Sequence, residues 1–379
     1  MTTSAIQQKL APLRVQIDEL DRQIVELLNR RANIVIEVGK IKHSADSGST
    51  GESAAGNAPA KPPQIYVPER EQQVLAQVRA YNKGPLPDRC LMAIWRELMS
   101  GSFALERPLR IGYLGPAGSY SHMAAKLKFG SSVEYDSLDD ISGVFEEIVR
   151  GHVDLGLVPI ENSYIGGIGE TLDSFRDNRV HVCGEVLIGI HHNLLSNTPA
   201  EEVKKIYSKP EVFSQCRRWL GLQLVHAEKV PVASSSKAAE IAAKEPGSAA
   251  IGSILAAETY DLAIQFANIE DDPNNVTRFF IISLNSAKPT GDDKTSLMFT
   301  TVHKAGALAE VLNIFRDHGL NLTHIDKRPS KLENWEYVFF IDCLGHQSDP
   351  TVASAIEAAR KHCLHLTVLG SFPRAKEAL

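Results

Sequence analysis

Two short stretches carry the side chains best suited to chemistry: Val276-Thr277-Arg278-Phe279-Phe280 and Val158-Pro159-Ile160-Glu161-Asn162-Ser163. Each falls where an alternating strand–helix pattern meets a loop. Between them they offer a hydroxyl, an amide, a carboxylate and a guanidinium. Such a set suits a small anionic substrate from which water is to be expelled. Pro159-Ile160-Glu161-Asn162 by itself would read as a helix cap or a turn.

A second group lies near the N-terminus. Ile6, Leu10, Leu13, Ile17, Leu20, Ile24, Leu27, Ile34, Val38 and Ile41 step by three or four, a sustained apolar seam. Arg31 takes one seam position. Lys42 follows eleven residues on, about 1,100° of helical rotation, so it lies within about 20° of the same face. A lone arginine there reads as snorkelling or ion-paired. Arg14 sits about 100° off that face and is better placed to serve a neighbouring helix. Arg70 and Glu71 open a second helix, and Ser102 and Glu106, at i and i+4, share a face of a third. Four cations and a few hydrogen-bonding groups converging in a helical bundle make up a pocket for a dianion.

The elements that must position these groups follow from periodicity. Residues 5–42 form a long helix of about 50 Å, longer than a ~100-residue domain is wide. A helix that overshoots its own domain packs on another subunit, so an intertwined homodimer is expected. Residues 44–63 are small, polar and rich in Pro and Gly, a flexible connection. Helices are expected from Pro68 and over Asp88–Glu106. From Leu109 to Leu284 apolar strands alternate with helices, predicting an α/β domain with a largely parallel sheet. After a polar linker, strand, helix, two strands, helix and strand follow over ~80 residues, the order of a ferredoxin-like module. The division expected is 1–106, 107–286 and 293–379.

Composition narrows the function. The chain has 379 residues, enough for two or three domains, and its net charge of −6 argues against general nucleic-acid binding. Cys90, Cys183, Cys216, Cys343 and Cys363 are odd in number and widely spaced, indicating neither a disulfide framework nor a zinc site. With no leader-like or membrane-length apolar run, a reducing cytoplasmic setting is expected. Gly112-x-x-Gly115-x-x-Gly118 has the wrong spacing for a dinucleotide loop, and Pro116 removes a backbone donor. The hydroxyl-rich Gly118-Ser119-Tyr120-Ser121 at a helix start better suits a carboxylate. His122, His191 and His192 have no carboxylate at a telling spacing and read as structural or surface residues.

The pattern Leu13-Arg14, Leu20-Asp21, Leu27-Leu28, Arg31, Glu37-Val38-Gly39-Lys40, Lys42, then Pro68-x-Arg70-Glu71 and Val74-Leu75, resembles the all-helical chorismate mutases. The resemblance implies that Arg31, Lys42 and Arg70 of one subunit and Arg14 of the other hold the two carboxylates of chorismate. Lys42 and Glu106 would flank the ether oxygen of the breaking bond, and Glu71 and Ser102 would orient the substrate hydroxyl. Where some relatives carry Gln, Glu106 can donate a hydrogen bond only when protonated.

Gly-Pro-Ala-Gly-Ser-Tyr-Ser at 115–121, Val-Pro-Ile-Glu-Asn-Ser at 158–163, Tyr207-Ser208-x-Pro210, Gln215-Cys216, Ala233-Ser234-Ser235-Ser236-x-Ala238 and Thr277-Arg278-Phe279 resemble prephenate dehydratase. The family fold has two α/β lobes with the site in the cleft between them. On that resemblance Thr277 hydrogen-bonds the leaving hydroxyl, Arg278 pairs with a substrate carboxylate and Phe279 walls the cleft. Ser119, Ser121, Glu161, Asn162, Ser163, Gln215 and Ser235 would position substrate, with Glu161 the alternative proton donor. Aromatisation drives the loss of CO₂ and water, so no metal or organic cofactor is required.

His303-Lys304-Ala305-Gly306-Ala307-Leu308 and Asn321 to Ser330, with Trp335-Glu336-Tyr337 opening the next strand, resemble the phenylalanine-binding ACT module of this enzyme family. Gly306, Ala307, Leu308, Asp326 and Arg328 would carry the amino acid, although Asp326-Lys327 replaces the usual Glu-Ser. The three resemblances together imply a bifunctional enzyme taking chorismate to phenylpyruvate, inhibited by phenylalanine. Two other readings compete. A mutase fused to a prephenate dehydrogenase needs a G-x-G-x-x-G unit that the sequence lacks. A non-catalytic amino-acid sensor has no use for the cation-rich helical pocket.

Overall fold

The computed structural model describes residues 3–48, 64–330 and 337–379, with α1 side chains described over 6–42. Helix α1 (Thr3–Gly48) runs on six residues past its expected end, and the remainder of the expected loop, 49–63, lies outside the described residues. Helix α2 (Pro68–Tyr81) begins with Pro at N1 and with Glu69 and Glu71 in its first turn, where exposed amides favour acids. Helix α3 spans Asp88–Glu106 as its periodicity predicts.

Helix α1 packs on α3, yet its apolar seam faces outward: Leu13, Leu20 and Leu27 are 53%, 56% and 59% exposed. The other two helices are tied to the body of the protein. Ile65 and Tyr66, just before α2, are buried with Leu109, Ile111 and Phe129, and the Tyr66 ring meets Phe129 edge-on at 5.3 Å.

The α/β region holds two sheets. Strands β1 (Arg110–Leu114), β2 (Glu134–Leu138), β3 (Leu155–Asn162), β4 (Gly166–Gly167) and β5 (His181–Gly189) come first, with helices α4 (Tyr120–Phe129), α5 (Ile141–Val149) and α6 (Gly169–Asp177) between them. The chain then builds a second sheet from β6 (Asn193–Leu195), β7 (Lys205–Ser208), β8 (Glu228–Pro231), β9 (Ser248–Gly252) and β10 (Ile264–Phe266). Helices α7 (Pro210–Gln215), α8 (Arg217–Gln223), α9 (Ser235–Lys244) and α10 (Ile254–Tyr260) join those strands. Strand β11 (Val276–Ser283) returns to the first sheet, whose order is β2-β1-β3-β11-β5, while the second runs β10-β6-β9-β7-β8.

The sheets are mixed, not largely parallel as expected. Strand β1 pairs β2 and β3 in parallel, but β11 runs antiparallel to both β3 and β5. The reason is topological: β11 re-enters the first sheet from the second lobe and so arrives from the opposite end. Two crossing segments result, 190–192 and 267–275, and they bind each other. Ile269 N–H donates to the His192 carbonyl, Ile190 N–H to the Asn275 carbonyl, and Glu270 accepts from His192 N–H.

The C-terminal unit has β12 (Asp293–Thr300), α11 (Ala307–Asp317), β13 (Leu322–Pro329), β14 (Tyr337–Leu344), α12 (Pro350–Arg360) and β15 (His365–Pro373). Its sheet order β13-β14-β12-β15, antiparallel throughout, is ferredoxin-like. Trp335 and Glu336 lie outside the described residues. Val338, Phe340, Leu369 and Phe372 of this unit share one core with Val158, Val182, Phe280 and Ile282 of the first α/β sheet. The unit is therefore docked on a face of the sheet that carries β3 and β11.

Candidate functional sites

The helical group assembles around α1 and α3. The Arg31 guanidinium donates to Ser102 Oγ at 2.8 Å, and Lys42 Nζ meets Glu106 Oε1 at 2.7 Å. The Ser102 hydroxyl donates a hydrogen bond to the Leu98 carbonyl, 2.7 Å away, which leaves its lone pairs to Arg31. Burial first, and the neighbouring charge of Arg70 second, hold the Arg31 pKa below its ordinary value. Arg31, Lys42, Arg70, Ser102 and Glu106 thus gather at one place with a surplus of positive charge. Arg14 is exposed about 25 Å along the helix from Arg31, on the projecting part of α1.

Glu71 does not join them. One residue beyond Arg70 on a helix turns about 100° away, and Glu71 instead takes Tyr66 Oη at 2.8 Å and Lys128 Nζ at 2.7 Å. It lines a separate cavity of about 410 Å³ shared with Lys128, Glu185 and the C-terminal segment 373–379.

In the α/β region Asn162 organises the end of β3. Its Oδ1 accepts the Tyr164 and Ile165 amides at 2.9 and 3.1 Å, so its NH₂ must donate. One proton goes to Asn275 Oδ1 at 2.9 Å and the other to Thr277 Oγ1 at 2.8 Å. Thr277 therefore accepts from Asn162 and keeps its own hydroxyl proton for another acceptor. Ser163 is spent on the backbone, its Oγ taking the Val276 amide at 3.0 Å.

Arg278 and Phe279 depart from the expected roles. Successive residues of a strand face opposite ways, and Arg278 turns toward the C-terminal unit. There Nε lies 2.7 Å from Glu185 and Nη1 2.6 Å from Asp342, with its side chain 8% exposed. Phe279 is 1% exposed within the core beneath α4 and walls no cleft. Glu161 also faces the C-terminal unit. A register shift opposite Arg278 and Phe279 brings Glu161 onto the Arg278 face and Asn162 onto the Thr277 face. Its Oε2 lies 3.2 Å from His324 Nδ1, and that hydrogen bond, against the opposing effect of burial, lowers its pKa. An ionised Glu161 accepts protons; it is poorly suited to donate one.

Ser119 caps α4, accepting His122 N–H at 3.2 Å and donating to the Leu114 carbonyl at 2.9 Å. Ser121, two residues on, is buried, and Ser235 is half-buried at the start of α9. Gln215 belongs to a chain of contacts that sequence reasoning missed. Its Oε1 meets His192 Nε2 at 2.7 Å, and His192 Nδ1 meets Tyr120 Oη at 2.8 Å. This chain links α4 of the first lobe, a crossing segment and α7 of the second. Burial lowers the His192 pKa, favouring the neutral ring that can both donate and accept. Tyr120 lay within a motif, but nothing in spacing pointed from it to residue 192.

In the C-terminal unit Gly306 adopts φ +86° at the N-terminus of α11, a conformation glycine takes freely. Ala307 and Leu308 line a cavity of about 130 Å³ with Val302, Lys304, Tyr337 and Phe339. Asp326 and Arg328 stand apart from it. His324, Asp326 and Arg328 alternate along β13 and all reach toward the α/β region. Arg328 pairs with both oxygens of Asp173 at 3.2 Å.

Comparison with known proteins covers almost the whole chain. Residues 13–107 match the chorismate mutase type II model, 111–287 the prephenate dehydratase model and 295–361 the ACT domain model. A bifunctional chorismate mutase/prephenate dehydratase of Stutzerimonas stutzeri is 42% identical over 369 residues, covering 97% of this chain and 98% of the relative. One from Aquifex aeolicus is 39% identical over 97% of this chain and 99% of the relative. The structure of prephenate dehydratase from Arthrobacter aurescens in complex with L-Phe aligns over 70% of this chain and 90% of that one, with a TM-score of 0.66 and 29% identity. The chain belongs to the family of bifunctional chorismate mutase/prephenate dehydratases.

Proposed function

We propose that this protein rearranges chorismate to prephenate in its helical part and converts prephenate to phenylpyruvate in its α/β part. The working units are 1–106, 107–286 and 293–379, in line with the spans of the three family matches. The observation that carries the reading is the Asn162–Thr277 pair, in which a committed amide leaves the threonine proton free for a leaving hydroxyl.

In the first step the ether C–O bond breaks as a C–C bond forms, and negative charge grows on the ether oxygen. Lys42 and, in its protonated form, Glu106 flank that oxygen, while Arg31 and Arg70 take the carboxylates and Ser102 the hydroxyl. Holding the folded conformer and stabilising that charge is the whole task. Arg14 reaches the pocket from a second copy, because the exposed seam of α1 supports pairing of two chains. In the second step the electrons of the C–CO₂⁻ bond flow into the ring as CO₂ leaves, and the departing hydroxyl, taking up a proton that comes in net from solvent, leaves as water. Thr277 donates to that hydroxyl; Ser119, Ser121, Gln215 and Ser235 come from the two lobes that bound the substrate.

The C-terminal unit binds phenylalanine and restrains the dehydratase. The cavity beside Gly306, Ala307 and Leu308 supports that role, as does the L-Phe complex of the Arthrobacter enzyme. A cytoplasmic setting suits the biosynthetic reading, and no described helix is long and apolar enough to cross a membrane. The test is phenylpyruvate formation from chorismate by the purified protein without added cofactor, with and without phenylalanine. Product suppressed by phenylalanine is expected. Turnover of neither chorismate nor prephenate would restore the sensor reading.

A further inference from the structure

The mutase and dehydratase residues leave one buried cluster unused. On the face of the first α/β sheet away from Thr277, Arg278 and Lys294 meet Glu161, Glu185 and Asp342, with His324 beside Glu161. Glu185 and Lys294 are bound at 3.0 Å, and Ser296 donates to Asp342. Asp342, Lys294, Ser296 and His324 belong to the C-terminal unit; Arg278, Glu161 and Glu185 belong to β11, β3 and β5.

We propose that His324, carried by the C-terminal unit, is a positioning residue of the dehydratase site, holding Glu161 and through it the Asn162–Thr277 pair on the opposite face of the same strands. This rests on the dehydratase reading above.

Three observations support it. First, Glu161 and Asn162 are adjacent on β3 and lie opposite Arg278 and Thr277 on β11, so each ionic rung has a substrate-facing rung as its immediate neighbour. The register shift next to this point locally interrupts the ladder, so side-chain contacts there help to set the geometry of both rungs. Second, the histidine supplies Glu161 with a close partner, since Arg278 and Lys294 are engaged at 2.6–3.0 Å by Glu185 and Asp342 and Arg278 stands 4.0 Å from Glu161. The pairing matters because a charge out of water is costly without a partner: the His324 side chain is 6% exposed, while Glu161, 40% exposed, keeps one side to solvent. Third, His324 is the first of a row. Asp326 lies against Gly167, and a Cβ on Gly169 would stand 2.6 Å from Arg328 Cζ. Strand β13 thus follows the chain from Glu161 through the turn at 166–169 to Asp173 on α6.

Burial alone would discharge His324, but the hydrogen bond to Glu161 and the charge of Asp342 outweigh it and raise its pKa, with Arg278 opposing. A raised histidine pKa places the charged form below that value, so the tether is present at lower pH and is lost as pH rises through it.

The experiment is kcat and KM for prephenate across pH in the full-length wild type, His324→Gln and His324→Lys, with chorismate mutase activity and thermal melting measured on each. The wild type is expected to lose kcat at alkaline pH. His324→Gln should lose about 10- to 100-fold in kcat with KM little changed, the scale of a small misplacement of reacting groups, and should lack the alkaline fall. His324→Lys should recover part of the activity and move the fall to higher pH. Mutase activity should be unaffected in all three. Wild-type kcat and an unaltered profile in His324→Gln would overturn the proposal. So would a parallel loss of mutase activity and melting temperature, which marks a purely structural role. A wild type inert toward prephenate sinks the dehydratase reading and the proposal together; an active wild type with an indifferent His324→Gln sinks the proposal alone.

Discussion

Thr277 and Arg278 are consecutive in the chain, yet their side chains leave β11 through opposite faces. Thr277 meets Asn162 at 2.8 Å, whereas Arg278 is locked between Glu185 at 2.7 Å and Asp342 at 2.6 Å. A motif that reads as one catalytic unit therefore serves two purposes: hydrogen bonding on one face and attachment of the C-terminal unit on the other.

Thr277→Ala should reduce dehydratase kcat by about 10²–10³-fold, as for loss of one oriented donor in a transition state, while Thr277→Ser retains most of it. Asn162→Asp should approach the alanine result. A carboxylate cannot donate, so the threonine proton would turn toward residue 162 and away from substrate. Steady-state phenylpyruvate formation from prephenate measures all three, and near-wild-type turnover by Thr277→Ala would falsify the assigned role.

Arg278→Ala should behave as a stability variant. Removing one partner of a buried ion cluster leaves uncompensated charge and costs about 3–5 kcal/mol. Urea unfolding should show that loss. A raised KM at unchanged stability would instead return Arg278 to the substrate.

Lys42→Ala should lower mutase kcat by about 10²–10³-fold and leave prephenate turnover intact. Glu71→Gln provides the contrast. Because Glu71 is engaged by Tyr66 and Lys128, the mutase KM should hardly change. A large rise in KM for chorismate would restore the role that the resemblance implied for it.

Gly169→Ala should weaken the seating of the C-terminal unit, since the added methyl meets the Arg328 guanidinium. The guanidinium is the end of a flexible, partly exposed side chain and can give way, so the cost is that of loosening the Arg328–Asp173 pair, about 0.5–1 kcal/mol. Shortening the obstruction in Gly169→Ala/Arg328→Ala should return part of that loss, and strictly additive melting shifts would show that the two residues do not meet.

Stability should fall in mild acid partly through His122. Its ring stacks on Tyr113 at 4.6 Å and accepts the Gly118 amide at 3.1 Å, a role only the neutral ring can fill. Burial depresses its pKa to about 4, below the ordinary 6.5. The unfolded chain therefore takes up a proton that the folded one refuses, and stability is lost as pH falls from 6.5 toward 4. His122→Gln, which keeps an acceptor, should flatten that limb of a melting-temperature profile. An unchanged slope would remove His122 from it.

Much of this protein is legible in the residues alone. The seam of α1, the bounds of α3, the strand–helix alternation and the order of the C-terminal unit follow from local periodicity and from Pro and Gly at element ends. Local sequence carries those signals because they arise within a few residues of one another. Arg31, Lys42, Ser102 and Glu106 come together where α1 packs on α3, although the apolar seam on which spacing places Arg31 and Lys42 faces outward.

What the chain could not announce was decided by contacts between residues far apart in it. The direction of β11 depends on the chain crossing to a second lobe and returning. The faces taken by Glu161 and Asn162 depend on a register shift between β3 and β11, and a one-residue shift exchanges the two sides of a strand. His324 meets Glu161 across more than 160 positions, and Asp342 meets Arg278 across more than 60. Residue type determined which groups could do chemistry; packing of the C-terminal unit on the sheet decided which of them were left free to do it.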